Sequence, residues 1–123
     1  MNLKLICRIG GLIPLINGLV LVFFTSMFMD MLSWEITDAL LTLGEVFGVS
    51  LIVVGIITYR SPDIAGDSLS AFGQLFGVTN CLFVLIIGYH IISGQASGAP
   101  AYGNIVFTAV LAILFFVYSK NTD

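Results

Sequence analysis

Four apolar runs, each of about 20 residues, constrain the fold of this chain more than any other feature. A helix of that length matches the roughly 30 Å hydrocarbon thickness of a bilayer. The chain is 59% hydrophobic and only 9% charged, whereas soluble domains are roughly 25% charged. We therefore predict a single all-α domain over residues 1–123, an integral membrane bundle of four transmembrane helices at approximately 7–29, 37–59, 68–92 and 101–119.

The basic residues predict the orientation of this bundle. Lys4, Arg8, Arg60 and Lys120 all fall at one end of a four-span topology, and Lys and Arg near helix ends stay on the cytoplasmic side. Both termini are therefore expected to be cytoplasmic in a bacterial-type plasma (inner) membrane, with a thylakoid or organellar membrane as alternatives. The net charge of −3 provides no basic stripe for phosphates, so no nucleic-acid partner is expected.

Two stretches, LGEVFGVS and FGQLFGVT, repeat the same order of residues. They contain the GxxxG pairs Gly44 and Gly48, and Gly73 and Gly77, a spacing that lets helix backbones approach closely in a membrane. Gly55 continues the first stripe, since eleven residues at about 100° each return close to the starting direction. The glycines predict helix-packing faces. The alternative is a site between two antiparallel copies, as in the inverted repeats of transporters.

Glu45 is the one acid placed well inside a predicted span, since Asp38 belongs to the loop at its start. An ionised carboxylate there would cost about 3 kcal/mol on insertion scales, so protonation or a hydrogen bond to another helix must offset it. Asn17 and Asn80 fall near the middle of the first and third spans. We predict that Asn17, Glu45 and Asn80 form one polar intramembrane cluster, either as interhelical hydrogen bonds or as a ligand, proton or partner site.

Methionines at the outer end of the first span suggest a metal site. Met27, Met29 and Met31 alternate in the sequence, and thioethers are soft ligands that suit Cu(I). His90, the only histidine, lies near the same side. The alternative is that these methionines fill irregular contacts, because alternate positions point apart if the helix continues.

The remaining charged residues near the cytoplasmic side predict a structural feature. Arg8, Arg60, Asp63 and Asp67 fall at similar depth and are expected to form a salt-linked inner rim. Pro62 is expected to end the second helix there.

The sequence carries no recognisable catalytic constellation. Cys7 and Cys81 are separated by roughly 15 Å in depth at about 1.5 Å per residue, beyond disulfide reach, and no CxxC pair is present. Nucleophile elbows, phosphate loops and metal quartets are also lacking. We therefore expect no enzymatic activity.

The layout resembles the DoxX-like group of small four-helix membrane proteins over most of the chain. The resemblance rests on a basic start before glycines (Arg8, Gly10 and Gly11), on an acid followed by a small residue (Glu45 and Gly48), and on a Gly-rich connector before the last helix. The group often has a second basic residue shortly after the acid, and residues 46–49 offer none. The resemblance implies a four-helix fold rather than an activity.

Three functions follow from these observations. The first is an accessory or structural subunit that packs against other transmembrane subunits in a larger membrane complex. The second is a small transporter or ligand-binding protein, working as a homo-oligomer, with Glu45 as the proton or substrate site. The third is copper handling through the methionine segment. Membrane lipid is expected as a bound partner in each case.

Overall fold

The only regular secondary structure within residues 1–120, the part that a computed structural model describes, is helical. The cytoplasmic placement predicted for the C-terminus concerns residues 121–123, which lie outside the described residues. Four helical segments are long and apolar enough to cross a membrane. The elements are α1 (Leu3–Phe23), α2 (Thr25–Met31), α3 (Asp38–Ile64), a 3₁₀ turn (Gly66–Ser68), α4 (Leu69–Ile92) and α5 (Ala99–Ser119).

The first helix differs from the predicted span at both ends. It begins at Leu3 because the Asn2 side chain accepts a hydrogen bond from the Leu5 N–H at 2.9 Å and so caps the first turn. It ends where Phe24 leaves the helical conformation, at φ −131° and ψ 44°. The Thr25 hydroxyl donates to the Leu21 carbonyl, which gives a partner to an acceptor left free by the break. The predicted span 7–29 is thus two helices.

The second long helix, α3, runs past Pro62, which was expected to end it, and finishes at Ile64. The extra turn is held by an ion pair between Arg8 and Asp63, with Nη2 and Oδ1 2.7 Å apart. Arg60 also donates to Asp63, at 3.1 Å. The structure therefore joins three residues of the predicted inner rim, whereas Asp67 makes no ion pair within residues 1–120.

Glycines bring α1 and α3 into backbone contact. A Cβ atom on Gly11 would lie 2.6 Å from the Gly55 carbonyl oxygen, and one on Gly48 would lie 2.9 Å from the Gly18 carbonyl oxygen. Gly11 and Gly18 are seven residues apart, as are Gly48 and Gly55, and seven residues are close to two helical turns. The two antiparallel helices thus meet at two matched glycine crossings.

Helices α4 and α5 form the second close pair. A Cβ on Gly77 would lie 2.9 Å from the Phe116 ring, and one on Gly73 would lie 3.0 Å from both Leu3 and Ser119. Gly44 and Gly48 therefore pack against α1 and α2, whereas Gly77 packs against α5 and Gly73 lies between α5 and the start of α1. The glycines of LGEVFGVS and those of FGQLFGVT do not face each other. They therefore do not form the predicted alternative, a site between the two repeated stretches.

Two apolar clusters join the helix pairs, one at each end of the bundle. The basic end, which carries Lys4, Arg8 and Arg60, contains the larger cluster. The opposite end, formed by α2 and the loops at 32–37 and 93–98, contains the smaller one, and Phe28, Trp34 and Ile91 pack against it. The buried members are Leu3, Ile6, Cys7, Leu69, Leu111 and Phe115 in the basic-end cluster, and Leu32, Ala96 and Ala101 in the other.

Substitution of Gly55 by alanine tests the backbone crossing. In Gly55→Ala the added methyl group would lie 2.6 Å from the Gly11 carbonyl oxygen, and backbone cannot turn aside as a flexible side chain can. Overpacking typically costs about 1–3 kcal/mol, so we expect the free energy of unfolding to fall by about 2 kcal/mol. A denaturant titration in detergent measures it.

The matched control is Gly103→Ala in α5, where an added Cβ meets no atom within 4 Å. Alanine is favoured over glycine in a helix by about 1 kcal/mol, so this variant should be at least as stable as the wild type. Equal losses in both variants would contradict the close crossing.

Candidate functional site

A cavity of about 400 Å³ lies between the α1/α3 pair and the α4/α5 pair, in the space between the two apolar clusters. Its walls are mostly apolar. Exposed side chains of two helices line one side of it, Phe47 and Val54 on α3, and Thr79 and Ile86 on α4. Because α3 and α4 contact each other little, the cavity opens to the surface between them.

Helical spacing places one asparagine on each of three walls of this cavity. On α1, the lining residues Gly10, Ile13, Asn17 and Leu21 recur every three or four positions and so share one face. The same spacing brings Asn80 to the wall formed by α4. On α5 it brings Asn104 and Thr108, among others, to the third wall.

The asparagines use only part of their hydrogen-bonding capacity within the protein. Asn17 Nδ2 donates to Asn104 Oδ1 at 2.7 Å, which links α1 to α5. Asn80 Nδ2 donates to the Phe76 carbonyl of its own helix at 2.8 Å. The oxygens of Asn17 and Asn80 and the amide nitrogen of Asn104 make no hydrogen bond within residues 1–120. Because all three residues are half-buried and line the cavity, these atoms remain available to a bound molecule.

Threonine hydroxyls add acceptors to the same space. Thr58, Thr79 and Thr108 each donate to a carbonyl of their own helix, at 2.8, 2.9 and 2.7 Å. A hydroxyl that has donated its hydrogen still offers lone pairs. The cavity therefore combines apolar walls with a few fixed polar groups, the usual composition of a small-molecule site.

Loops close the cavity at the end opposite the basic residues. The Trp34 indole N–H donates to the Gln95 carbonyl at 2.6 Å, which ties the 32–37 loop to the 93–98 loop. Gly98 has a φ of +91°, and a Cβ there would collide with the Met31 carbonyl oxygen, so only glycine fits this contact. His90 lines the cavity and also a shallow outer pocket beside Trp34 and Glu35.

The structure does not bring Glu45 together with Asn17 and Asn80. Gly44 and Gly48 face α1, and Glu45, about 100° further round α3, is exposed and does not line the cavity. Asn17 instead pairs with Asn104, which the prediction left out. The missed signal was the spacing of Ala101, Asn104 and Thr108, which places two polar residues on one face of the last helix.

The structure also does not bring the three methionines of the predicted copper site together. The methionine segment is helical, so alternate side chains point apart. Met29 is buried against Gly44, whereas Met27 and Met31 are 51% and 47% exposed. The three sulfurs therefore do not converge. The described chain also holds no group of three His, Cys, Asp or Glu residues placed to bind a metal ion, and Cys7 and Cys81 are free thiols.

A comparison with protein-family models gave no match, and comparisons with curated proteins and with solved structures gave none either. The resemblance to DoxX-like proteins therefore stays a prediction, and the function has to be inferred from the geometry of the cavity and of the surface.

Proposed function

We propose that this chain is an integral membrane protein that crosses the bilayer four times, with both termini on the cytoplasmic side of a bacterial-type plasma membrane. The proposal is supported by the surface of the long helices. Leu43, Leu85 and Ile92 are 66%, 70% and 89% exposed, and apolar surface on this scale favours contact with lipid over contact with water. The positive-inside rule supports the orientation, because Lys4 and Arg60 lie at the same end of the bundle.

Within the membrane, the protein binds a small amphipathic molecule in the cavity and is not an enzyme. The observation that carries this proposal is the apolar cavity with free carboxamide groups from Asn17, Asn80 and Asn104. These groups have no partner within residues 1–120, and the polar end of a ligand would supply hydrogen bonds to them. The opening between α3 and α4 gives such a molecule a route from the lipid.

Carboxamides suit binding rather than proton transfer. Asn side chains donate and accept hydrogen bonds without changing charge. A proton-coupled transporter needs an ionisable group at its substrate site, and Glu45 does not line the cavity. The geometry therefore favours ligand binding over transport driven by Glu45.

A second candidate function is that of an accessory subunit in a larger membrane complex. The observation that favours it is Glu45 itself, which is exposed on α3 and makes no hydrogen bond or ion pair within the described chain. A carboxyl group facing lipid is costly. Contact with another transmembrane subunit would remove it from lipid. Cavity binding and subunit contact use different surfaces and are compatible.

The proposed orientation predicts the labelling of cysteines placed in the loops. In a background without Cys7 and Cys81, a membrane-impermeant maleimide should label Gln95→Cys in intact cells. Ser68→Cys, in the 3₁₀ turn at the basic end, should react only after the membrane is permeabilised. Both residues are exposed, so the difference reports topology. The reverse pattern would contradict the orientation, and labelling of both in intact cells would contradict the four-span topology.

Fluorescence of Trp34 measures ligand binding directly, because it is the only tryptophan in the chain and it lines the cavity. A brominated medium-chain alcohol should quench it saturably in the purified protein. Thr79→Phe adds a ring at the cavity opening, and we expect it to weaken binding about tenfold, a loss of about 1.4 kcal/mol.

The control for this experiment is Thr42→Phe. Thr42 is exposed on α3 outside the cavity, and its hydroxyl donates to its own helix as that of Thr79 does. This variant should bind the probe as the wild type does. Quenching that rises without saturation, or that responds equally to both substitutions, would contradict a ligand site in the cavity.

Extraction of the native protein in mild detergent tests the accessory-subunit function. We expect the wild type to migrate with another membrane protein in fixed stoichiometry and Glu45→Gln to lose that partner, because the substitution removes the carboxylate. Glu35→Gln, a change of an exposed acid in the 32–37 loop, should retain it. Migration of the wild type alone, measured by native mass spectrometry, would contradict this function.

A further inference from the structure

The hydrogen bond between Asn17 and Asn104 fixes which groups a ligand meets. Asn17 Nδ2 donates to Asn104 Oδ1 at 2.7 Å. The pair therefore leaves one carbonyl oxygen and one NH₂ group unused. Both residues line the cavity and are half-buried, so the two groups lie beside each other on the walls formed by α1 and α5.

This pattern holds whichever way the two amides are oriented. If both side chains were rotated so that oxygen and nitrogen exchanged places, Asn104 would donate to Asn17, and one donor and one acceptor would again be left. Asn80 adds an acceptor, because its nitrogen is committed to the Phe76 carbonyl. A molecule that satisfies the pair must itself both donate and accept a hydrogen bond.

The cavity also offers few charged groups to pair with an ionised ligand. Among the described residues that line it there is no Lys, Arg, Asp or Glu, and His90 is the one side chain there that can carry a positive charge. Arg8 and Arg60 are paired with Asp63 at the basic end. A carboxylate or phosphate in the cavity would therefore have at most the His90 imidazole as a countercharge, and burying an unpaired charge is strongly unfavourable.

We propose that the ligand is an uncharged single-chain amphiphile whose polar group is both a donor and an acceptor, namely an alcohol or a primary or secondary amide. The polar group binds between Asn17 and Asn104, and the hydrocarbon chain follows the apolar wall toward the opening between α3 and α4. This inference rests on the proposed ligand-binding function and specifies its chemical class.

The chemical class of the ligand is tested with three brominated probes of equal chain length: a primary alcohol, its methyl ether and the corresponding carboxylate. Binding of each probe to the purified full-length protein is measured by quenching of Trp34 fluorescence. The ether accepts a hydrogen bond but cannot donate one, so it leaves an Asn oxygen unpaired. We expect the alcohol to bind roughly tenfold more tightly than the ether. The ionised carboxylate should bind more weakly than the alcohol.

Substitution of the amide pair tests the assigned residues. Asn17→Leu combined with Asn104→Leu should bring the ratio of alcohol to ether affinity close to one while the ether still binds. Gln74→Leu is the matched control, because Gln74 is an exposed amide on α4 that does not line the cavity. This control should keep the wild-type ratio.

The outcomes distinguish failure of the proposed ligand class from failure of ligand binding itself. Equal affinity of alcohol and ether for the wild-type protein would overturn the inference while leaving ligand binding intact, even if the double variant fails to fold. An unchanged ratio in a folded double variant would also overturn the inference, because the preference would then come from other residues. If none of the probes quenches Trp34 saturably, the proposed function itself fails.

Discussion

The backbone contact between α1 and α3 is the constraint on which the rest of the structure depends. With glycine at both crossings, the two backbones come into direct contact, because a Cβ on Gly11 or Gly55 would lie 2.6 Å from the carbonyl oxygen of the other. The faces adjoining the glycines then merge into one surface. Asn17 of α1 and Thr58 of α3 both lie on it. A bulkier residue at Gly48 or Gly55 would push these faces apart and change the shape of the cavity wall.

The cavity exists because the second helix pair is joined to the first mainly at its ends. At the basic end the Phe76 and Phe115 rings pack with centroids 5.4 Å apart, next to the buried residues of α1. At the opposite end the Trp34 to Gln95 hydrogen bond and the small buried cluster join the loops. Between these ends α3 and α4 diverge. The contacts at the two ends keep the helix pairs apart in the middle of the bundle. The half-buried amides line the cavity that results.

The sequence predicts the helices well but not how they pair. Apolar runs of about 20 residues give the four long helices directly. No Gly or Pro adjoins the break at Phe24, and α3 continues through Pro62 to a last turn in which Asp63 pairs with Arg8, distant in sequence. The exact ends of these helices depend on tertiary contacts, and the local sequence pattern does not predict those contacts.

The same limit explains the outcome at the candidate site. Asn17 and Asn80 could be chosen because polar residues in apolar runs are rare, and both line the cavity. Glu45 could not be placed without knowing that its neighbouring glycines face α1. The glycine spacing did contain that information, because Gly11 and Gly18 match Gly48 and Gly55 in an antiparallel arrangement. Comparing the glycine intervals of different helices would have predicted the contact between α1 and α3, but it would not have identified Asn104 of α5 as the partner of Asn17.

Polar side chains in this apolar chain face either the interior of the bundle or its outer surface. The two candidate functions differ in which of these groups they use. The amides of Asn17 and Asn104 face inward and share one hydrogen bond. The other oxygen and the other NH₂ group of the pair can bind a small uncharged molecule. The carboxyl group of Glu45 faces outward, where no residue of the described chain reaches it and only something outside the bundle can pair with it. An amide pair retains its bonding pattern at any pH, whereas a carboxyl group changes its charge on titration. In the two functions proposed above, ligand selection would therefore belong to the interior and association with other subunits to the surface of α3, and either could change without altering the other.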